Sequence, residues 1–162
     1  MARRDSVAAE SVDEITDALL TASRLLVAMS ARSIARVDDS ITIPQFRALV
    51  LLSSRGPSNV ASLATNLNVQ PSTATRMVER LVVAGLVDRR PNPESQRELI
   101  IELTARGRQV VQQVTVQRRR EIAAVVEQMR PSDRTGLVRA LTAFAAAGGE
   151  PGARPDIDSY QV

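Results

Sequence analysis

The stretch that decides the fold runs from Ser58 to Thr104 and reads SNVASLATNLNVQPSTATRMVERLVVAGLVDRRPNPESQRELIIELT. Ser58 or Asn59 can cap a short helix carrying Val60, Leu63, Ala64 and Leu67. Asn68-Val69 is the turn, with Val69 as its buried plug. Pro71 suits the first turn of a second helix. There Ala74, Met77, Val78 and Leu81 recur at i, i+3, i+4 and i+7, which makes one apolar stripe. Gly85 falls where a left-handed residue ends a helix, and Leu86 can fold back as the apolar contact after it. Residues 86–90 then read as a strand, 91–96 as a loop and 97–103 as a returning strand. The loop is longer than a two-residue hairpin turn requires. Helix, turn, helix and hairpin in this order make a helix-turn-helix with a β-wing, a shape that fits duplex DNA.

The flanks are helical. Residues 1–10 read as a flexible polar arm. Ser11 and Glu14 form a capping box, and Val12, Ile15, Leu19, Ala22, Leu26 and Met29 recur at helical spacing toward Val37. Asp38, Asp39 and Ser40 break that helix. Thr42 caps the next one, with Pro44 in its first turn, and it carries Phe46, Leu49, Val50 and Leu52 as far as Arg55-Gly56-Pro57. Thr104 caps a long helix to about Met129, and Pro131 starts a last helix through Leu137, Leu141 and Phe144 that ends at Gly148-Gly149. Residues 148–162 read as a disordered tail, rich in Pro and Gly. The first, fifth and sixth helices carry more apolar surface than one small winged unit can cover, so a second copy is their simplest partner.

Composition narrows the chemistry. The 162 residues are 44% hydrophobic but only 2% aromatic, so the core must be built from Leu, Val, Ile, Ala and Met. The absence of Cys excludes disulfides and thiol chemistry. The absence of His removes the commonest general base and metal ligand. No Gly-rich phosphate loop or paired-carboxylate motif stands out either, so an enzyme, a metal site and a cofactor are not expected. All 21 basic residues are arginine, a side chain suited to bidentate phosphate and guanine contacts. The net charge of +3 permits nucleic-acid binding without demanding it. No signal peptide opens the chain, and no run approaches the roughly 18 apolar residues of a membrane span. A soluble, cytoplasmic protein with no membrane partner is expected.

The candidate DNA-reading residues lie opposite the apolar stripe of the recognition helix, the second of the pair. Gln70 sits at its entry, Ser72, Thr73, Thr75 and Arg76 follow, and Arg80 is one turn on, with Glu79 and Glu94 as candidate ion partners. Hydroxyls can donate to phosphates, and arginine can grip guanine O6 and N7. In the wing, Arg97 can enter a narrow minor groove, while Arg89 and Arg90 flank the first strand. Arg118, Arg119 and Arg120 fan over most of a helix circumference, which suits solvated or intersubunit ion pairs better than one flat patch.

At this point the chain resembles the MarR family of bacterial transcription regulators, over about residues 11–147. The resemblance rests on VASLATNLNVQPSTATRMVERLVVAGLVDRR, the wing after it, and LTARG at Leu103–Gly107. It implies a homodimeric winged-helix repressor or activator that reads a short DNA palindrome and often releases it on binding a small molecule. The segment around Phe46 and Arg47 lines an effector cavity in the family. With Met29 and Arg32 on the first helix, it makes a candidate pocket in which an arginine would meet the carboxylate of an aromatic or apolar acid. The family's wing tip usually carries Asp-x-Arg; here Ser95, Gln96 and Arg97 stand there, with Glu94 beside them as a candidate substitute brace. Arg130 precedes Pro131 where the family often has a hydroxyl cap.

The expected fold is therefore mainly α with a small β-hairpin, six helices plus a wing, in an intertwined dimer. Residues 11–37 and 105–147 would form the dimerisation region and 38–104 the DNA-binding unit. The expected function is a sequence-specific regulator of transcription, a repressor released by a ligand. The alternative is a ligand-independent architectural or accessory DNA-binding protein.

Overall fold

The computed structural model describes residues 11–150. The expected arm at residues 1–10 lies outside that range, as does most of the tail expected over 148–162. Residues 148–150 are instead ordered, their N–H groups donating to the carbonyls of Phe144, Ala146 and Ala145 at the end of the last helix. In chain order the elements are α1 (Val12–Val37), α2 (Ile43–Arg55), α3 (Val60–Leu67), α4 (Pro71–Val83), β1 (Val87–Asn92), β2 (Ser95–Leu103), α5 (Ala105–Gln128), α6 (Pro131–Arg134) and α7 (Leu137–Ala147). Four of the helices start on side-chain caps. Ser11 and Glu14 close a reciprocal box on α1, as Thr42 and Gln45 do on α2. The Asn59 carboxamide oxygen accepts from the Ser62 N–H on α3, and the Thr104 hydroxyl accepts from the Gly107 N–H on α5.

One core joins α2, α3, α4, the hairpin and the first half of α5. Leu49, Leu63, Val78, Leu81, Leu86, Val87, Ile101 and Val114 are all at or below 1% exposed in it. Each such side chain contributes roughly 1.5–3 kcal/mol of burial free energy. The apolar stripe of α4 is buried in full at Ala74, Met77, Val78 and Leu81, which fixes the direction of its opposite face. After α4 the Gly85 N–H donates to the Val82 carbonyl and the Leu86 N–H to the Leu81 carbonyl, both at 2.9 Å. This pair of hydrogen bonds stops the helix and buries Leu86. Gly107 secures the next joint. A Cβ there would lie 2.0 Å from the Leu86 carbonyl oxygen, so only glycine lets the first turn of α5 pack on the start of the wing.

The hairpin departs from the expected long loop. Asn92 pairs with Ser95, so Pro93-Glu94 closes it as a two-residue connection. The Asn92 side-chain oxygen accepts from the Glu94 N–H at 3.0 Å, a turn made by the side chain itself. The extra residues lie inside β2: Pro91 pairs with Leu99 and Asn92 with Ser95, leaving Gln96, Arg97 and Glu98 as an irregular bulge. Ser58 and Ile101 exchange backbone hydrogen bonds of 3.0 and 2.8 Å, tying the entry of α3 to β2. Val69, expected as a buried plug, is only half-buried.

The last helix is also divided. Arg134 turns back and donates to the Glu127 and Met129 carbonyls at the end of α5, each at 2.7 Å. The chain then turns at Gly136, whose φ is +79°, before α7 begins. The Pro131 helix is thus one turn, followed by a separate helix.

α1 and α5 are joined through Glu121. Its carboxylate accepts from Arg32, Ser33, Arg36 and Gln117 at 3.2 to 3.4 Å, and Ser33 is fully buried there. The first two thirds of α1 and all of α7 have little to pack on among the described residues. Ile15, Leu20, Leu25, Leu26 and Val27 on α1, and Val138, Leu141 and Phe144 on α7, are each at least 45% exposed. α1 also contains an 18-residue window of mean hydropathy 1.3, long and apolar enough by composition to cross a membrane. The sequence conceals this because Ser and Thr interrupt the apolar run. In the helix the hydroxyls of Thr16, Thr21, Ser23 and Ser30 donate to carbonyls three or four residues back, which lowers their polarity.

Candidate nucleic-acid interface

α4 presents its polar face outward because its apolar face is held in the core. Gln70, Ser72, Thr73, Arg76, Glu79 and Arg80 are exposed on it. Gln70 occupies the N-cap position without making a cap bond, so its carboxamide is not used by the helix. Thr75 is different: it is half-buried, and its hydroxyl donates to the Pro71 carbonyl at 2.9 Å. That bond turns Thr75 toward its own helix, which leaves Ser72 and Thr73 as the outward hydroxyls. The Arg76 Nε–H donates to the Ser72 carbonyl at 3.4 Å, drawing the guanidinium toward the N-terminal half of α4. Thr73, Arg76, Met77 and Arg80 line a shallow hollow of about 260 Å³ together with Thr42, Pro44 and Gln45 at the start of α2. No sequence signal marks the α2 N-terminus as part of this surface, since its proximity to α4 depends on the tertiary fold.

In the wing Arg89, Arg90 and Arg97 are all exposed. Arg90 is paired with Glu102 at 2.6 Å across the hairpin. Arg76, Arg80, Arg89 and Arg97 have no carboxylate within 4.0 Å among the described residues. The candidate ion pairs of Arg80 with Glu79 or Glu94 do not form, and Glu94 does not brace Arg97. Four unpaired guanidiniums therefore lie along α4 and the wing, a distribution that favours an anionic partner. Glu98, which no sequence motif marks, accepts from both Asn59 and Asn92. Asn59 is legible in the sequence only as a helix cap, because its second bond reaches 39 residues along the chain.

The four residues of the candidate ligand pocket have separate surroundings. Met29 and Phe46 are buried, at 4% and 5% exposed, and Phe46 belongs to the main core. Arg32 pairs with Glu121 at 3.4 Å and Arg47 with Glu150 at 3.1 Å. Arg118, Arg119 and Arg120 are exposed and lack ion-pair partners among the described residues. Arg120 and Arg36 border a groove of about 510 Å³ between α1 and α5, lined also by Gln109, Gln112, Gln113 and Gln117.

Comparison with known proteins places this geometry. The MarR family model matches residues 41–99, from the start of α2 into the returning strand of the wing. The transcriptional repressor IacR of Pseudomonas putida is 30% identical over 83 residues, 51% of this chain and 48% of the relative. The multiple antibiotic resistance protein MarR of Salmonella typhimurium is 33% identical over 73 residues, 45% of this chain and 51% of the relative. The chain thus spans about half the length of these curated relatives. The crystal structure of RV1404 from Mycobacterium tuberculosis is 69% identical and covers 91% of this chain and 100% of that one, with a TM-score of 0.83. Over residues 41–99 the helix-turn-helix and wing of this chain are those of the MarR family.

Proposed function

We propose that the protein is a homodimeric, cytoplasmic transcription regulator that binds a palindromic operator in double-stranded DNA. The observation that carries this reading is the exposed face of α4. Ser72, Thr73, Arg76 and Arg80 face outward from a helix whose other side is locked into the core, with the free Arg97 of the wing beyond it. In the complex α4 lies in a major groove, Arg76 reads a base edge, the hydroxyls and Arg80 meet phosphates, and Arg97 enters the adjoining minor groove. Two copies joined through α1, α5 and α7 present two α4 helices to successive major grooves, roughly 34 Å apart. The apolar residues left open on α1 and α7 support a second copy as the partner of those faces.

Repression, with release by a small aromatic or apolar acid at Met29, Arg32, Phe46 and Arg47, is the finer form of this reading. The relative IacR is named a repressor, which favours that sign of regulation. Ligand-independent binding is the second reading. It is favoured by the engagement of Arg32 with Glu121 and Arg47 with Glu150, so that a ligand carboxylate must displace an existing partner. Selection of bound fragments from the source genome tests the function. One recurring inverted repeat supports an operator-specific regulator. Fragments without shared sequence support an architectural protein, and no enrichment removes DNA as the partner. Titrating phenolic acids against the selected complex then separates the two readings, since only the ligand-released form dissociates.

A further inference from the structure

The wing is fastened to the helix-turn-helix by a three-residue clamp. The Asn59 Nδ2 donates to Glu98 Oε1 at 2.7 Å, and the Asn92 Nδ2 donates to Glu98 Oε2 at 3.0 Å. Both carboxamides are fixed in orientation by their other end. The Asn59 oxygen accepts from the Ser62 N–H at 2.8 Å, capping α3. The Asn92 oxygen accepts from the Glu94 N–H at 3.0 Å, holding the hairpin turn. With both oxygens committed to backbone, both NH₂ groups point at one place. The two donors meet different oxygens of the group between them, which an ionised carboxylate supplies and a carboxamide, with one oxygen and one NH₂, does not.

We infer that Glu98 is the positioning residue of the wing: its two carboxylate oxygens lock the hairpin turn, through Asn92, to the first helix of the DNA-reading pair, through Asn59. This rests on the DNA-binding reading and deepens it. Ser58 and Ile101 already tie the base of β2 to the entry of α3 by backbone bonds. Glu98 extends that attachment outward into the bulge, next to Arg97, whose own guanidinium has no brace among the described residues. Holding Glu98 sets where Arg97 leaves the strand relative to α4. The wing then meets DNA already in position and loses less freedom on binding. Charge-assisted bonds of this kind are stronger than neutral ones, which suits a tie at an exposed position.

The clamp is tested by exchanging its polarity. Glu98→Gln puts a donor against a donor on one side. Asn59→Asp keeps the α3 cap, since aspartate caps as well as asparagine, but sets two carboxylates against each other. The double variant restores complementarity: the carboxylate introduced at position 59 still accepts from the Ser62 N–H and now also from the amide introduced at position 98, whose oxygen still accepts from Asn92. Amide hydrogen exchange of residues 92–98 is measured in the free full-length protein, with thermal midpoint as control and affinity for the selected operator as second readout. Each single variant should raise wing exchange by roughly threefold to tenfold, weaken operator binding by a similar factor and leave the thermal midpoint nearly unchanged. The double variant should recover both. Unchanged wing exchange in Glu98→Gln, or a double variant no better than the singles, overturns the clamp. Faster exchange with unaltered operator affinity overturns its positioning role. If the parent chain selects no DNA, the regulator reading fails by itself, and the exchange data still judge the clamp.

Discussion

Arg76 and Gly107 define two kinds of residue in this chain, one kept free and one kept small. Arg76 stands on the exposed side of α4 with no carboxylate partner among the described residues. Its replacement by Ala should cost about 1–3 kcal/mol per half-site and relax preference at one base pair. Binding titrations against single-base operator variants check this. A uniform loss over all sequences would reassign Arg76 to a phosphate. Gly107→Ala should destabilise the fold by about 1–3 kcal/mol, because the new methyl would press on the Leu86 carbonyl, which already accepts from the Thr104 N–H at 3.1 Å. Denaturant unfolding measures that loss, and an unchanged midpoint would mean α5 does not start against Leu86. The buried stripe of α4 is legible in the sequence because helical spacing alone specifies a face. Glu98 is not, since its role depends on two asparagines that only the folded chain brings together. The commitments of Arg32 and Arg47 are hidden for the same reason: Glu121 and Glu150 lie 89 and 103 residues away in sequence.

At the scale of elements, caps and breaks are readable wherever the signal is local. Ser11, Thr42, Thr104 and Pro71 mark helix starts in the sequence and in the structure alike. The hairpin connection is not readable in this way, because Asn92 builds a side-chain turn that shortens it and moves the surplus residues into β2. The division of the last helix depends on Arg134 reaching back to α5, a tertiary contact. The junction of α1 with α5 gives this scale its prediction. The Gln117 amide, above all, holds the Glu121 carboxyl below the usual carboxylate range, with Arg36, Arg32 and Ser33 adding to the effect and desolvation opposing it. Asp38 is lowered chiefly by the Ser40 hydroxyl, with help from the Ser40 N–H and Arg106. A carboxyl whose folded pKa is depressed stabilises the fold above its unfolded value. That contribution is lost as the pH falls below about 4 toward the folded pKa. Glu121→Gln should therefore lower stability at neutral pH and flatten its decline in acid. Unfolding midpoints from pH 7 to pH 2 check this, and a variant whose acid decline parallels the parent's would remove Glu121 from the junction.

The whole molecule is organised around surfaces that one copy leaves open. The apolar faces of α1 and α7 have no cover among the described residues. Light scattering of the purified chain should give a dimer at micromolar concentration, and a stable monomer would leave these faces without a partner. The central claim is that two α4 helices read a two-fold DNA site. It is tested most directly by footprinting the selected operator at increasing salt. The account predicts two protected half-sites related by a dyad and about one helical turn apart, with affinity falling steeply as salt rises because phosphate contacts release counterions. A single asymmetric protected patch, or affinity indifferent to salt, would contradict it.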